Sequence, residues 1–410
     1  MRRHTLIHTL IYSSLFALLV ACGGGSSSSN SGGGNNSTPL PPPPPEPKPG
    51  PTAEEQAVKE MRVPYDEIEG LRTLADFPIG TEVSAADQEN SIFKVTKQQP
   101  VLIHHFSNLV AGSIMKAPSL YPHEDEFYFD AADELVDFAL SNDMTMHGHT
   151  LLWHRYDWSG DPLIPEWMEN YSGDWKAMLE NYIETTVEHF AYRVTTWDIV
   201  NEAADLNYQT NVASYRDNIF YRNLGPEYIE IAHRAARKAD PNALLYHNDF
   251  GLVDNGPKLD FTLALLQDFI DRGVPVDGLG FQMHITLDGP SIENIEAAFA
   301  KAAAMGLMIK ISELDIPVNA RSTMPPPGWM PSQRFTAELA LEQKERYKEV
   351  ITAYLNAVPP EQRGGITVWG LTDSSSWWRA IRHDEWPVLF NNDYSTKPAF
   401  HGVREALMQE

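Results

Sequence analysis

Between residues 77 and 373 the chain alternates eight times between a short apolar or β-rich run and a segment of helical periodicity. Alternation of that kind favours parallel strands joined by crossover helices, and eight such units favour an α/β fold closed into a (β/α)8 TIM barrel. The expected strands are Phe77 to Val83, Asn108 to Gly112, Met144 to Leu152, Thr195 to Glu202, Ala243 to Asp249, Gly278 to Ile285, Leu307 to Asp315 and Gly365 to Asp373. Between them, Glu227 to Ala239, Lys258 to Asp271, Ile292 to Met305 and Thr336 to Asn356 carry helical stripes, with Gly273 and Gly306 placed as left-handed caps.

The region before the barrel has a different character. Residues 1–21 begin with basic Arg2 and Arg3 and continue into an apolar run too short for a convincing membrane span, as expected of a signal peptide. That run ends in Leu19-Val20-Ala21-Cys22, which resembles a bacterial lipobox, with Cys22 the expected lipidation site; an ordinary cleavage site is the alternative. Residues 22–52 are rich in Gly, Ser and Pro and carry Leu40 as their one large apolar side chain, so they form a tether of roughly 60 Å or less. Residues 53–410 show no second linker and are expected to form one domain. The expected location is the bacterial envelope, held to the outer membrane by lipid alone, with the protein monomeric.

Charge and cysteine content narrow the chemistry. With 31 basic and 56 acidic residues the formal charge is −25, which repels phosphate backbones and argues against a nucleic-acid partner. Cys22 is the single cysteine, so disulfides and thiolate-held zinc are excluded.

In a (β/α)8 barrel the reactive groups gather where the strands end. Glu202 and Glu313 each follow an apolar strand, and a charge near apolar walls is costly unless a partner or a function requires it. Two such carboxyls facing one cavity suit glycoside cleavage; paired structural carboxylates are the alternative. Asn201 is placed to hold a sugar hydroxyl, Asp315 to share a strand face with Glu313, and His284 to bridge to Glu313 and keep it ionised.

The blocks His149-Thr150-Leu151-Leu152-Trp153-His154, Trp197-Asp198-Ile199-Val200-Asn201-Glu202-Ala203, Gly280-Phe281-Gln282-Met283-His284, Ser312-Glu313-Leu314-Asp315-Ile316 and Val368-Trp369-Gly370-Leu371-Thr372-Asp373 occur in this order. Together they resemble glycoside hydrolase family 10, chiefly endo-1,4-β-xylanases, over about Phe77 to Phe400. The resemblance implies a retaining double displacement without metal or organic cofactor, with Glu202 as acid/base and Glu313 as nucleophile. It implies that Asn201, Gln282, His284 and Asp315 orient the nucleophile or the sugar. Lys116, His149, Trp153, Trp369 and Trp377 are implied to line the subsite of the reacting sugar, and Trp378 and Trp386 are expected to extend that wall. The implied partner is xylan or its oligosaccharides.

Two departures from the family pattern fall on the glycone side. The family's Glu-Asn-x-Met-Lys-Trp is here Gly112-Ser113-Ile114-Met115-Lys116-Ala117, and Trp153-His154 is followed by Arg155-Tyr156. Loss of three binding side chains is expected to weaken the second sugar site or to have it rebuilt from other groups. The cleared space is expected to admit a decorated sugar, with Tyr156 or Trp158 supplying stacking. The proline-rich Met324 to Trp329 is expected to form a loop over the aglycone side.

Three rival readings remain at this stage. His147, His149, His247, His284 and Asp373 suggest a metal-dependent hydrolase on the same barrel. A non-catalytic glycan-binding lipoprotein is the second, and a glycosidase acting on another β-1,4 glycan is the third. His104 and His105 are taken as structural or surface residues.

Overall fold

The computed structural model describes residues 50–154, 163–320, 335–381 and 385–409. Cys22 and the tether up to residue 49, Arg155 with Tyr156 and Trp158, and the 324–329 segment lie outside the described residues. A compact unit runs from Pro51 to Glu410.

Among the described residues ten strands are present: β1 Ile79–Val83, β2 Asn108–Ala111, β3 Thr145–Gly148, β4 Val194–Asn201, β5 Ala204–Asn207, β6 Val212–Tyr215, β7 Leu244–Asp249, β8 Gly278–Phe281, β9 Met308–Leu314 and β10 Arg363–Val368. Eight close into a barrel in the order β1-β10-β9-β8-β7-β4-β3-β2. Neighbours around the ring are all parallel. The expected TIM barrel is therefore the fold.

Most strands stop earlier than their apolar runs suggested. The third ends at Gly148 where Leu152 was expected, the sixth at Phe281 where Ile285 was expected, and the eighth at Val368 where Asp373 was expected. The reason is that the polar and aromatic residues of the mouth begin there, and the backbone leaves the ladder as it aims them inward. His149, Trp153, Gln282, His284 and Trp369 accordingly sit just past strand ends and not within strands.

Helices fall close to expectation. Glu227–Ala239 presents buried Tyr228, Ala232, Ala235 and Ala236 to the barrel. Pro257–Arg272 ends on Gly273 at φ 64°, a conformation that costs glycine little. Between the helices and the strands lies a continuous apolar layer that includes Ile79, Val83, Leu109, Trp197, Ile309 and Ile311. His105, fully buried, contacts the Tyr65 carbonyl through Nε2 at 3.1 Å, and burial pushes its pKa down to about 3. His104 Nε2 lies 2.8 Å from the Ile68 carbonyl, so both histidines fasten the segment ahead of β1.

Two irregularities prepare the site. Along β9, Ile309 and Ile311 belong to the outer apolar layer, and strict alternation would send Glu313 after them. The register against β10 runs Ile366 with Ile311 and then Val368 with Leu314, so β9 carries one extra residue. That bulge returns Leu314 to the core and turns Glu313 inward. The second irregularity is the antiparallel hairpin β5–β6, absent from the sequence expectation, which follows Glu202 and carries the chain back to Arg216.

Candidate active site

Glu202 directly follows β4 with a left-handed φ of 56°, and Met283, between Gln282 and His284, has φ 59°. Non-glycine residues hold such angles only where their surroundings fix them, and sites of function are where they gather. At Glu202 the fixing contacts are visible. Its N–H donates to the Asn248 carbonyl at 2.8 Å, and its own carbonyl accepts from Arg216 Nε at 2.9 Å.

The two glutamates are buried and joined by amides. Asn248 Nδ2 donates to Glu313 Oε1 at 2.7 Å and to Asn201 Oδ1 at 2.9 Å. Gln282 Nε2 donates to Asn201 Oδ1 at 3.1 Å and to Glu202 Oε1 at 3.2 Å. Turning the Asn201 amide over would let its oxygen accept from the Trp153 indole at 3.2 Å. We favour the inward oxygen, because Asn248 must offer Nδ2 to the Glu313 carboxylate and its Oδ1 already accepts from Ser312 at 2.7 Å.

The other side of Glu313 is held by charge. His284 Nε2 lies 3.2 Å from Glu313 Oε2, and its Nδ1 lies 2.9 Å from Asp315 Oδ2. Asp315 is fully buried and also accepts from the indoles of Trp377 at 2.7 Å and Trp378 at 2.8 Å. Burial works against a charged His284, but Asp315 and Glu313 outweigh it and raise its pKa to about 10. Both ring nitrogens are then donors.

These surroundings drive the two glutamates apart. Burial pushes Glu313 up, but His149 and the charge and hydrogen bond of His284 reverse this and hold it below the usual glutamate range. Glu202 is pushed the other way, first by burial and then by Asp249, with Arg216, Gln282 and Trp153 only partly offsetting the rise. Asp249 is itself fixed by Lys258 at 2.6 Å and by the Ala204 N–H at 3.1 Å. A carboxyl that holds its proton more tightly beside one that gives it up more readily is the separation that acid-assisted displacement draws on.

Lys116, His149, Trp153, Trp369 and Trp377 form an arc around the pair. Lys116 Nζ stands 4.6 Å from the Trp153 ring centre, and the centroids of Trp153 and His149 are 5.9 Å apart. From His149 the arc continues to Trp369 at 5.3 Å, to His284 at 6.3 Å and on to Trp377 at 5.1 Å. His149 is oriented by Asp198 Oδ2 at 2.8 Å, and its buried Nε2 has no protein partner. All eleven carbohydrate-site residues singled out in the sequence thus converge on one mouth.

Other expectations need correction. Trp378 is buried and spent on Asp315, and Trp386 stacks on Phe335 at 5.4 Å, so neither extends the arc. The metal reading fails on its donors: His147 and His149 both engage Asp198, Asp373 is paired with Lys397 at 2.9 Å, and His284 serves Glu313. Among the described residues no three His, Cys, Asp or Glu are grouped to hold a metal ion. The space beside Gly112 is not simply cleared either, since a Cβ at that position would overlap Glu82 Oε1.

Sequence reasoning missed three participants, Asn248, Asp249 and Arg216, and gave Trp378 a different place. Asn248 and Asp249 close the fifth expected strand, but nothing local links them to Glu313 and Glu202. Arg216 depends on the unforeseen hairpin, and Trp378 on the fold around Asp315.

Comparison with known proteins agrees with the geometry. Residues 71–406 match the family model of glycosyl hydrolase family 10, and the chain belongs to that family. It is 41% identical over 361 residues to endo-β-1,4-xylanase Xyn10C of Cellvibrio japonicus, covering 83% of this chain and 58% of that protein. Endo-1,4-β-xylanase A of the same organism is 41% identical over 356 residues, covering 82% of this chain and 56% of the relative. The chain therefore spans less than two thirds of either. Among solved structures, a mutant of Cellvibrio japonicus xylanase 10C in complex with xylopentaose superposes with a TM-score of 0.77 at 40% identity, over 83% of this chain and 69% of that one. Xylanase 10B from Thermotoga maritima gives a TM-score of 0.71 at 30% identity, over 83% and 98%.

The contact between His284 and Glu313 predicts a pH effect. Because His284 favours the charged form of Glu313, its replacement raises the Glu313 pKa. In His284→Asn the acid limb of the pH–rate profile on an activated aryl glycoside therefore moves to higher pH. An unmoved limb would show that His284 does not set the charge of Glu313.

Proposed function

We propose that the chain is a retaining endo-1,4-β-xylanase that hydrolyses internal β-1,4-xylosidic bonds of xylan. The observation that carries this reading is the opposed pair, Glu313 held below and Glu202 above the ordinary glutamate range within one amide-linked cavity. The relatives named as xylanases support the choice of glycan.

In the first step a Glu313 oxygen bonds to the anomeric carbon as the bond to the leaving oxygen breaks, and the Glu202 proton passes to that oxygen. Glu202, now ionised, takes a proton from water, whose oxygen displaces Glu313 with net retention. Asn201, once its oxygen is committed to Asn248 and Gln282, keeps amide hydrogens for a sugar hydroxyl near the reacting carbon. His149 Nε2, Lys116 and Gln282 are polar contacts for the same sugar. Trp153, Trp369 and Trp377 offer ring surface to its apolar face, with Trp377 also steadying Asp315. No step in this scheme draws on a metal or an organic cofactor. The protein is proposed to act as a monomer.

Glu313→Ala is expected to abolish turnover of xylan and of aryl xylobiosides alike. Glu202→Ala should lower xylan hydrolysis about 100-fold or more while sparing an aryl xylobioside with a good leaving group, since only the natural bond needs a proton. The reverse ranking would exchange the two roles, and cleavage of cellulose in preference to xylan would replace the substrate.

We also propose that residues 1–21 are removed as a signal peptide and that Cys22 carries lipid, tethering the enzyme to the outer membrane. Fatty-acid labelling in a bacterial host should mark the wild type and be lost in Cys22→Ser, with the variant leaving the membrane fraction. A variant that stays labelled and membrane-bound would contradict the anchor.

A further inference from the structure

One acidic side chain in the mouth has no part in the scheme above. Glu82 lies near the end of β1, where Ile79 and Val83 belong to the outer apolar layer and the intervening Gly80 and Glu82 face the barrel interior. Gly80 confirms the direction, since a Cβ there would lie 3.0 Å from both Asn108 Oδ1 and Thr367 Oγ1 of the two flanking strands. Next to Glu82, on the adjoining strand end, is Gly112, and a side chain of any size at 112 would collide with the Glu82 carboxylate. On the opposite flank Glu82 Oε2 lies 4.0 Å from where a Cβ on Gly370 would stand. Gly112 thus leaves room for the carboxylate, while a Cβ at 370 would meet it only in ordinary van der Waals contact.

The charges that act on Glu82 are Lys116 and Glu313, both residues of the mouth. Burial raises its pKa, Lys116 lowers it and Glu313 raises it again, leaving it at about 7. Lys116 is the same cation that lies over Trp153, whose indole bonds to Glu202. Glu82 is nonetheless not on the side of the proton donor: around the barrel β1 is separated from β4 by β2 and β3. It keeps part of its surface open.

We propose that Glu82 is a specificity-determining residue that binds the second sugar on the glycone side by accepting hydrogen bonds from its free hydroxyls. This rests on the xylanase reading of the cleft. A β-1,4-linked xylose presents vicinal hydroxyls at C2 and C3, and the two oxygens of one carboxylate match such a pair. Because the recognition needs O–H donors, an acylated or glycosylated hydroxyl at that sugar loses it. The site next to Gly112 therefore selects an undecorated xylose, opposite to what an empty space would do.

The test compares an aryl β-xylobioside, which fills two glycone positions, with the aryl β-xyloside, which fills one. In Glu82→Ala, kcat/KM on the xylobioside should fall ~10-fold or more beyond any fall on the xyloside, the scale of a lost hydrogen bond to a charged group. Most of that loss should appear in KM. Glu82→Gln, which keeps the shape and one acceptor oxygen, should recover part of it and serves as the folding control. Equal losses on both substrates, or none on either, overturn the inference and leave Glu82 a structural group. If the wild type cleaves neither the xylobioside nor xylan, the functional reading itself fails, which is a separate outcome.

Discussion

Asn248 is the contact on which the site depends. Its Nδ2 reaches both Glu313 and Asn201, and through Asn201 and Gln282 the chain of amides continues to Glu202. Two buried carboxyls in one cavity repel each other when both are ionised, and each is costly to bury alone. An amide bridge of fixed polarity resolves this by giving Glu313 a strong donor while leaving Glu202 a weaker one. His284 and Asp249, at opposite ends, complete the separation.

Around that bridge the barrel supplies position more than chemistry. The bulge in β9 turns Glu313 into the mouth, and the left-handed φ of Glu202 turns the other carboxyl towards it. Deeper in, Asp198 accepts from His149 and lies 3.0 Å from His147 Nε2; burial opposes its charge, but the two histidines hold it ionised. His149 is thereby steered with one ring nitrogen committed and the other available. Glu82 fits the same logic, with the missing side chain at 112 making room for a group from a neighbouring strand.

Much of this was legible in the sequence because the barrel repeats one pattern. Eight apolar runs with helices between them predict eight strands, and polar residues at the ends of those runs predict the mouth. Strand ends were less legible, since a ladder stops where backbone direction changes and hydrophobicity does not mark that point at Gly148 or Phe281. Glu202 and Glu313 stood out as acids after apolar strands. Asn248, Asp249 and Arg216 did not, because their meaning lies in contacts between elements distant in sequence. Gly112 shows the same limit: the missing side chain was evident, but its replacement came from Glu82 on the strand before.

Two glutamates in one cavity have their pKa values pushed in opposite directions, and carbon-13 titration of the glutamate side-chain carboxyls measures this directly. Comparison with Glu202→Gln and Glu313→Gln assigns the two resonances. The account predicts that the resonance lost in Glu313→Gln titrates below the ordinary glutamate range, and the one lost in Glu202→Gln above it. Both titrating within the ordinary range, or in the reverse order, would contradict it.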